Sequence, residues 1–553
     1  MSAPQEPTPA NLLTEAQRSA LSELVGADIA RTDEAAVARA YTDFRAAIEE
    51  LRQSPMFGRL RGAPDPAGTA VAPSLTGAPW TLRIADASEL MRQGELSAVE
   101  LLESVLGRIE ETESFARAWA YVDADGARRA ARAADRARRA GDAGPLTGIP
   151  LGVKDVIDVQ GLPTEAGSRA LSGHVASRDA GAVARLRANG AVLLGKLTTH
   201  EFAFGQGAPP TRNPRDPQRY PGGSSVGSGV AVAVGSVPGA LGTDTGGSVR
   251  NPAAVNGLVG LKPTRGVVAG TGVLHVSRTL DHIGPLARTV TDCALLLDGL
   301  AEEHGLARLG GPVAPRLGAS APPGRVAVDR RMWSSYGVTD DVAGLIEDAI
   351  VDLEVLGIDV VELDLSEMDM ALPASLAVSL SESAEHHRSL LARRAEDYLP
   401  ETRIMIETGA LISQSDVELG HRIGAYLRQV LSDAFARTGV AALIAPTLPA
   451  IAPHSNRMAR QLTGPTGEDS LAGALRMLSP ANLTGFPALS VPCGTLHGQP
   501  VGLHLMGLPF SDALLLRIAQ VYEQESAWDS QLPIRDLPAI PALRGSSGNG
   551  FVA

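Results

Sequence analysis

Apolar positions near the start of the chain recur every three or four residues, the spacing of one helix face. This stripe is formed by Tyr41, Phe44, Ile48 and Leu51. Thr14 followed by Gln17 has the pattern of a capping box ahead of it. We therefore predict an N-terminal helical extension over residues 1–75, which ends in a linker rich in proline and glycine.

A second capping box predicts where the main domain starts. Ser97 followed by Glu100 precedes an apolar stripe with helical spacing, made of Leu102, Val105, Leu106 and Ile109. We take this as the first helix of a main domain over residues 76–535. The remaining residues, 536–553, contain the polar run RGSSGNGFVA and are predicted to form a flexible tail.

The pattern changes to short apolar runs cut by glycine between residues 145 and 300. The runs are IPLGVKDVIDV, AVLLGK, GVAVAVGSVPGALGTDTGG and LVGLKPTRG. Runs of this kind are typical of buried strands joined by tight turns. Farther on, the pattern predicts a strand at RVAVD, a helix from Thr339 to Leu356 and a strand at VVELDL, then helices over 371–437 and strands within 440–508. The fold class is therefore α/β.

Composition narrows the possible functions. The 553 residues are 44% apolar and 20% charged, which is typical of a folded protein, and the net charge of −13 argues against a nucleic-acid partner. Cys293 and Cys493 are interpreted as two buried thiols in a reducing compartment. The first residues lack a basic region followed by an apolar stretch, and no run of 18 apolar residues occurs. We therefore expect a cytoplasmic enzyme with no membrane partner.

Lysine is rare in this chain. Among 49 basic residues only Lys154, Lys196 and Lys262 are lysines, and all three lie in the glycine-rich third of the chain. A lysine can lose its proton near neutral pH, whereas an arginine does not. The 11 histidines show no metal-ligand spacing, and the adjacent His386 and His387 are interpreted as a solvated helix segment. No metal and no cofactor are predicted.

Two glycine loops present serines, at Gly222–Ser225 and at Gly246–Ser248. Glycine lets backbone N–H groups approach a ligand, as an oxyanion hole requires, although two ordinary tight turns are the plainer interpretation. A phosphate loop is disfavoured because no lysine follows the glycines, and a dinucleotide fingerprint lacks its third glycine. The pattern Gly-Ser-Ser-Val-Gly also satisfies the nucleophile elbow of α/β-hydrolases, which would make Ser225 the nucleophile.

Several motifs in order resemble the signature of the amidase signature enzymes. They are GIPLGVKD, PGGSSVGSG and GTDTGGSVRNPAAVNGLVGLKPTRG, followed by TLDHIGPLAR, LIAPTLP and NLTGFPALSVPCG. The resemblance spans residues 76 to 530 and is more specific than any one motif. It implies a large mixed β-sheet covered by helices on both sides, and it implies an amidohydrolase.

The resemblance also implies roles for particular residues. Lys154, Ser224 and Ser248 would form a Ser-Ser-Lys triad, with a cis bond before Ser224, and the amides of Thr245, Gly246, Gly247 and Ser248 would form the oxyanion hole. Ser225, Asp244 and Arg250 would support these groups. Lys196 and Lys262 are interpreted as surface or loop-anchoring charges. Two departures from the family pattern, Val226 and Asn256, are expected to alter the pocket.

The expected reaction is hydrolysis of a C–N bond in a small, largely apolar amide through a Ser248 acyl-enzyme. Carbamates and urea-like compounds remain open as substrates. Two alternatives are an amidotransferase component that releases ammonia from glutamine for charged transfer RNA and a catalytically silent binding scaffold. We also expect self-association through the N-terminal helices, with packing against the main domain as the alternative.

Overall fold

A computed structural model describes residues 77–205, 208–318, 324–457, 470–526 and 528. The predicted N-terminal extension (residues 1–75) and the predicted tail (residues 536–553) therefore lie outside the described residues. Within the described ranges, no helix is long and apolar enough to cross a membrane.

Eleven strands of the described residues form one sheet. They are β1 (Trp119–Val122), β2 (Pro150–Lys154), β3 (Val192–Leu197), β4 (Gly239–Asp244), β5 (Val259–Lys262), β6 (His282–Ala287), β7 (Arg325–Val328), β8 (Asp359–Glu362), β9 (Leu443–Pro446), β10 (Ala488–Leu496) and β11 (Gln499–Met506). Their order across the sheet is β1-β3-β2-β4-β6-β5-β10-β11-β9-β7-β8. Strand β2 runs parallel to β3 and β4, whereas β4 and β6 are antiparallel. The sheet is therefore mixed.

Fifteen α-helices of the described residues accompany the sheet. They are α1 (Ile84–Gln93), α2 (Ala98–Ala116), α3 (Ala124–Ala140), α4 (Gly181–Ala188), α5 (Val226–Ala233), α6 (Arg250–Asn256), α7 (Val290–Leu300), α8 (Glu303–Arg308), α9 (Arg330–Ser335), α10 (Asp340–Val355), α11 (Ala371–Arg394), α12 (Pro400–Ala410), α13 (Gln414–Thr438), α14 (Ser470–Thr484) and α15 (Asp512–Ser526). The expected large mixed sheet covered by helices on both sides is confirmed.

Burial follows the strand order. Every residue of β2, β3 and β4 is buried, whereas the edge strands β1 and β8 have partly or fully exposed residues. A strand covered on both faces consists mostly of apolar and glycine residues, which explains why these segments show no alternation of apolar and polar positions in the sequence. The neighbouring strands β2 and β4 both end in polar residues, Lys154 and Asp244, on the side of the sheet where the two glycine loops lie.

Two sequence predictions about helices have different outcomes. The capping box before α2 is present, because Ser97 Oγ accepts from the Glu100 amide (3.1 Å) and Glu100 Oε2 accepts from the Ser97 amide (2.8 Å). The run that includes GVAVAV was predicted to be strand, and this prediction is wrong, because Val226–Ala233 forms helix α5. This helix is buried nearly all round, so its sequence carries no helical alternation of apolar and polar residues.

Candidate active site

Lys154 is a buried lysine at the carboxyl end of strand β2. Its Nζ donates to Ser224 Oγ and to Thr243 Oγ1, both at 2.8 Å. Burial lowers the pKa of Lys154 from the ordinary value of 10.5 to about 7, against the opposite influence of the Asp281 and Asp244 carboxylates. A large share of this side chain is therefore the neutral amine near neutral pH, and that form can accept a proton.

Ser224 follows a tightly packed glycine loop. The Gly223–Ser224 peptide bond is cis, and Gly222 has a φ of 85°. A Cβ added to Gly223 would lie 2.2 Å from the Tyr220 hydroxyl oxygen and 2.5 Å from His200 Cε1, so only glycine fits this position. The Ser224 carbonyl accepts from the His200 amide at 3.3 Å. These contacts fix the backbone that carries the Ser224 hydroxyl beside Lys154.

Ser248 lies in the loop that joins strand β4 to helix α6. Gly247 has a φ of 118°, and a Cβ on it would lie 2.3 Å from Leu478 Cδ1, so the loop requires glycine there. The Ser248 carbonyl accepts from the Ser225 amide at 3.4 Å, which connects the two glycine loops. Ser224 and Ser248 both line one cavity.

A buried ion pair braces the Ser248 loop. Arg250 Nη2 lies 2.9 Å from Asp244 Oδ1, and Arg250 Nε donates to Asp244 Oδ2 at 3.0 Å, with both side chains fully buried. Burial would raise the pKa of the Asp244 carboxyl, but the Arg250 guanidinium holds it below its ordinary value. Asn482 Nδ2 also donates to Asp244 Oδ1 (2.9 Å). Asp244 therefore stays ionised at the start of the loop.

The Gly247 amide has an internal acceptor. It donates to Asp244 Oδ1 at 2.7 Å, and this hydrogen bond stabilises the shape of the loop. This differs from the sequence expectation, which gave all four loop amides to the oxyanion hole. Thr245, Gly246, Gly247 and Ser248 all line the cavity, as that expectation required. Thr245 Oγ1 donates to Asp281 Oδ1 (2.6 Å), a carboxylate that was not among the predicted site residues.

Ser225 has backbone partners on strand β4. Its hydroxyl donates to the Thr243 carbonyl and accepts from the Thr243 amide, both at 3.3 Å, and the residue is fully buried. These bonds fix the strand that carries Thr243, whose own hydroxyl contacts Lys154. Ser225 is therefore occupied in supporting the strand, in contrast to Ser224 and Ser248, which reach the cavity.

The cavity has a volume of about 290 Å³ and a mostly apolar wall. Aliphatic side chains come from helices α11 and α14, among them Leu372, Leu376, Leu475 and Leu478. Ser375, Ser379 and Ser479 from the same two helices also line the cavity. None of the described residues that line the cavity carries an Asp, Glu, Lys, Arg or His side chain. Val226 and Asn256, the two departures from the family pattern, are not among the described lining residues.

Several polar residues are more buried than the sequence predicted. Lys196 is fully buried and its Nζ donates to Asp155 Oδ1 (2.9 Å) and Thr164 Oγ1 (2.8 Å), so the surface interpretation is wrong and loop anchoring remains. Lys262 is likewise buried, and its Nζ donates to the Pro263 carbonyl at 2.9 Å. His387 is buried and pairs through Nδ1 with the Tyr398 hydroxyl (3.0 Å), so it is not a solvated residue.

These errors share a physical cause. A polar residue in a buried strand or helix is compensated by partners from distant segments, and a single sequence does not reveal those pairings. The same holds for Thr243, Asp281 and Asn482, which were not predicted although they contact the candidate residues. All three lie in motifs that carry the family resemblance, GTDTGGSVR, TLDHIGPLAR and NLTGFPALSVPCG, and that position is the signal that could have found them. Within the described ranges, no group of three or more His, Cys, Asp or Glu side chains could hold a metal ion.

Comparisons with known proteins agree with this architecture. The family profile named Amidase matches residues 100–516. The chain is 38% identical over 489 residues to a glutamyl-tRNA(Gln) amidotransferase subunit from Roseiflexus castenholzii, covering 82% of this chain and 98% of that one. It is 37% identical over 458 residues to an amidase from Pseudomonas putida, covering 82% and 97%.

Solved structures give the same result. The native peptide amidase from Stenotrophomonas maltophilia superposes with a TM-score of 0.66 at 30% identity, over 80% of this chain and 97% of that chain. The family profile covers most of the chain, and the sequence identities extend over nearly the full length of these relatives. The chain therefore belongs to the amidase signature family and is an amidohydrolase.

Proposed function

We propose that this protein hydrolyses small, neutral, largely apolar amides through an acyl-enzyme on Ser248. The main support is the lining of the cavity around Ser224 and Ser248: its described residues are largely apolar and none has a charged side chain. An apolar wall favours apolar acyl groups, because their transfer from water into the cavity lowers the free energy. It offers no counter-ion to a charged substrate. Neutral carbamates and urea-like compounds have carbonyls that the same site could attack.

The proposed reaction begins with proton transfer. Neutral Lys154 accepts a proton from Ser224, whose Oγ lies 2.8 Å from Nζ, as Ser224 accepts one from Ser248. The Ser248 oxygen then attacks the amide carbonyl. The relay returns the proton to the nitrogen, so that ammonia or an amine leaves instead of its poor anion. Water cleaves the acyl-enzyme by the same route.

Charge that develops on the carbonyl oxygen needs donors on the Ser248 loop. We assign the amides of Thr245, Gly246 and Ser248 as these donors. The Gly247 amide, which donates to Asp244, fixes the shape of the loop. Asp244, Arg250 and Ser225 are positioning residues in this scheme. Their contacts are set before substrate arrives, so no free energy of reorganisation is needed during the reaction.

The second candidate is an amidotransferase component that releases ammonia from glutamine. The 38% identity to an amidotransferase protein favours it. Free glutamine carries an ammonium and a carboxylate, and burying both without partners of opposite charge is costly. Since no charged side chain is among the described lining residues, the cavity supports the neutral-amide proposal better.

The two candidates differ in what the purified chain cleaves without partners. We expect ammonia or amine release from aliphatic amides and anilides, with kcat/KM for L-glutamine at least about 100-fold lower because two charges must be desolvated. The Ser248→Ala variant supplies the background rate. Preferential cleavage of glutamine, or activity that appears only after partner proteins are added, would favour the amidotransferase.

A further inference from the structure

Tyr220 contributes a phenolic side chain to the lining of the cavity. This residue is partly buried. Its backbone makes two hydrogen bonds, from its amide to the Pro453 carbonyl (2.8 Å) and from Asn213 Nδ2 to its carbonyl (3.2 Å). Its hydroxyl forms no hydrogen bond with any of the described residues. A tyrosine hydroxyl in a folded protein usually has a partner, so this one is available to a ligand in the cavity.

The hydroxyl lies beside the glycine that precedes Ser224. A Cβ added to Gly223 would lie 2.2 Å from the Tyr220 hydroxyl oxygen, so this oxygen lies within about 4 Å of the Gly223 Cα. Tyr220, Gly223 and Ser224 all line the same cavity. The Tyr220 ring also packs against the buried His200, with ring centroids 5.9 Å apart. These contacts hold the phenol at the Ser224 end of the cavity.

Two other hydroxyls of the cavity already have partners in the protein. Ser224 Oγ accepts from Lys154 Nζ at 2.8 Å. Thr245 Oγ1 donates to Asp281 Oδ1 at 2.6 Å. Burial raises the pKa of the Tyr220 phenol above its ordinary value, so the group stays neutral near neutral pH. It can therefore accept one hydrogen bond and donate another to a neutral polar group of the ligand.

The proposed reaction brings the scissile nitrogen close to Ser224. The relay returns its proton to this nitrogen, so the nitrogen must come within hydrogen-bonding distance of Ser224 Oγ. The nitrogen of a primary amide carries two N–H groups, whereas the corresponding oxygen of an ester carries none. A hydrogen-bond acceptor beside Ser224 therefore distinguishes the primary amide from the ester of the same acid.

Resting on the proposed function, we propose that Tyr220 is a specificity-determining residue that binds the leaving group of primary amides. Its phenolic oxygen accepts a hydrogen bond from the NH₂ group of the scissile amide, whose nitrogen also faces Ser224. A substituent on the nitrogen replaces one N–H, so ammonia is preferred to an amine as the leaving group. The attack by Ser248 does not require the phenol. Removal of the hydroxyl should therefore reduce selectivity without abolishing acylation.

The test compares butanamide with methyl butanoate, which have the same acyl group. We measure kcat/KM for both with wild type and with Tyr220→Phe, which keeps the ring beside His200 and removes only the hydroxyl. The ratio of the two constants does not depend on the fraction of folded enzyme. We expect Tyr220→Phe to lower the amide-to-ester ratio by about 3- to 10-fold, the usual effect of one neutral hydrogen bond. Tyr220→Leu also lacks the hydroxyl and should lower the ratio at least as much, so it replaces Tyr220→Phe if that variant does not fold.

Tyr426→Phe is the matched control. Tyr426 is 50% exposed on helix α13 and is not among the described residues that line the cavity, so loss of its hydroxyl should leave the ratio unchanged. If Tyr220 had only a structural role, its substitution would lower both constants together with the Tm and keep their ratio. A ratio that changes by less than about 2-fold in the Tyr220 variants would overturn the assignment.

Failure of this inference is distinguishable from failure of the proposed function. Protection of the enzyme against a fluorophosphonate probe measures the binding of butanamide and methyl butanoate whether or not they are cleaved. If neither is cleaved, the proposed function fails, and protection by butanamide that weakens at least about 3-fold relative to the ester in Tyr220→Phe still supports the assignment. An unchanged protection ratio, or no protection by butanamide in the wild type, would contradict it.

Discussion

The pH dependence of acylation tests the role of Lys154. Burial lowers the pKa of Lys154 from 10.5 to about 7. For an ordinary lysine the neutral fraction at pH 7 is about 1 in 3000, whereas a pKa near 7 makes it about one half. The difference corresponds to roughly 5 kcal/mol. Deep burial of this one ammonium therefore supplies about 1000-fold more base at neutral pH.

The sign of the effect follows from which form is active. The neutral amine accepts the proton, so the acylation rate should rise as pH passes through the pKa and then level off. With a pKa near 7 the rise from pH 6 to pH 8 should be about 10-fold, with little change above pH 8.5. Single-turnover measurements with an activated ester or anilide, in which acylation limits, give this profile directly.

Two variants make the measurement specific to Lys154. Lys154→Arg keeps a positive charge but does not deprotonate in this range, so it should lose at least about 1000-fold in rate at every pH. Thr243→Ser retains the hydroxyl beside Nζ and should retain the midpoint. A wild-type acylation rate that stays constant from pH 6 to pH 9 would refute the assignment of Lys154 as the base.

Three further predictions concern the charge beside Lys154, the glycine of the Ser248 loop and the N-terminal segment. Asp281→Asn removes an anion that favours the Lys154 ammonium, so the midpoint of the acylation profile should move to lower pH, and an upward move would contradict the electrostatic argument. Gly247→Ala places a Cβ against Leu478 and should reduce covalent labelling by at least about 100-fold. The control is Gly161→Ala: Gly161 has a φ of 81° but no atom near the added Cβ, so this variant should lose only about 1 kcal/mol of stability. Deletion of residues 1–75 should lower the mass measured by light scattering from dimer to monomer, and an unchanged mass would remove the proposal of self-association through that segment.

Much of the candidate site could be predicted from the sequence because its residues lie in short motifs. Ser224 and Ser248 each sit in a glycine loop whose packing demands glycine at Gly223 and Gly247, so the local sequence records the geometry. The rarity of lysine marked Lys154, Lys196 and Lys262 alike as candidates, and the family resemblance of GIPLGVKD singled out Lys154. The capped helix α2 and the helix after Thr339 were also predictable, since capping residues and apolar stripes act locally.

What the sequence did not reveal depends on contacts between distant segments. Helix α5 is enclosed on nearly all sides, so its apolar run resembles a buried strand until its neighbours are known. Lys196 lies within an apolar run and His387 among polar residues, and the partners that complete their hydrogen bonds inside the protein, Asp155 and Tyr398, are distant in sequence or on another element. Asp281 and Asn482 reach the Ser248 loop from elsewhere in the chain. These pairings follow from the fold and are not contained in local patterns.

Identification of the serine that becomes acylated tests the central proposal most directly. The protein is treated with a fluorophosphonate probe, digested, and the labelled peptide is sequenced by mass spectrometry. We predict label on Ser248 in the wild type, no label in Ser248→Ala, and continued labelling of Ser248 in Ser225→Ala, whose rate should fall by about 10- to 1000-fold. Label on Ser225, or full activity in Ser248→Ala, would contradict the account and favour the α/β-hydrolase elbow.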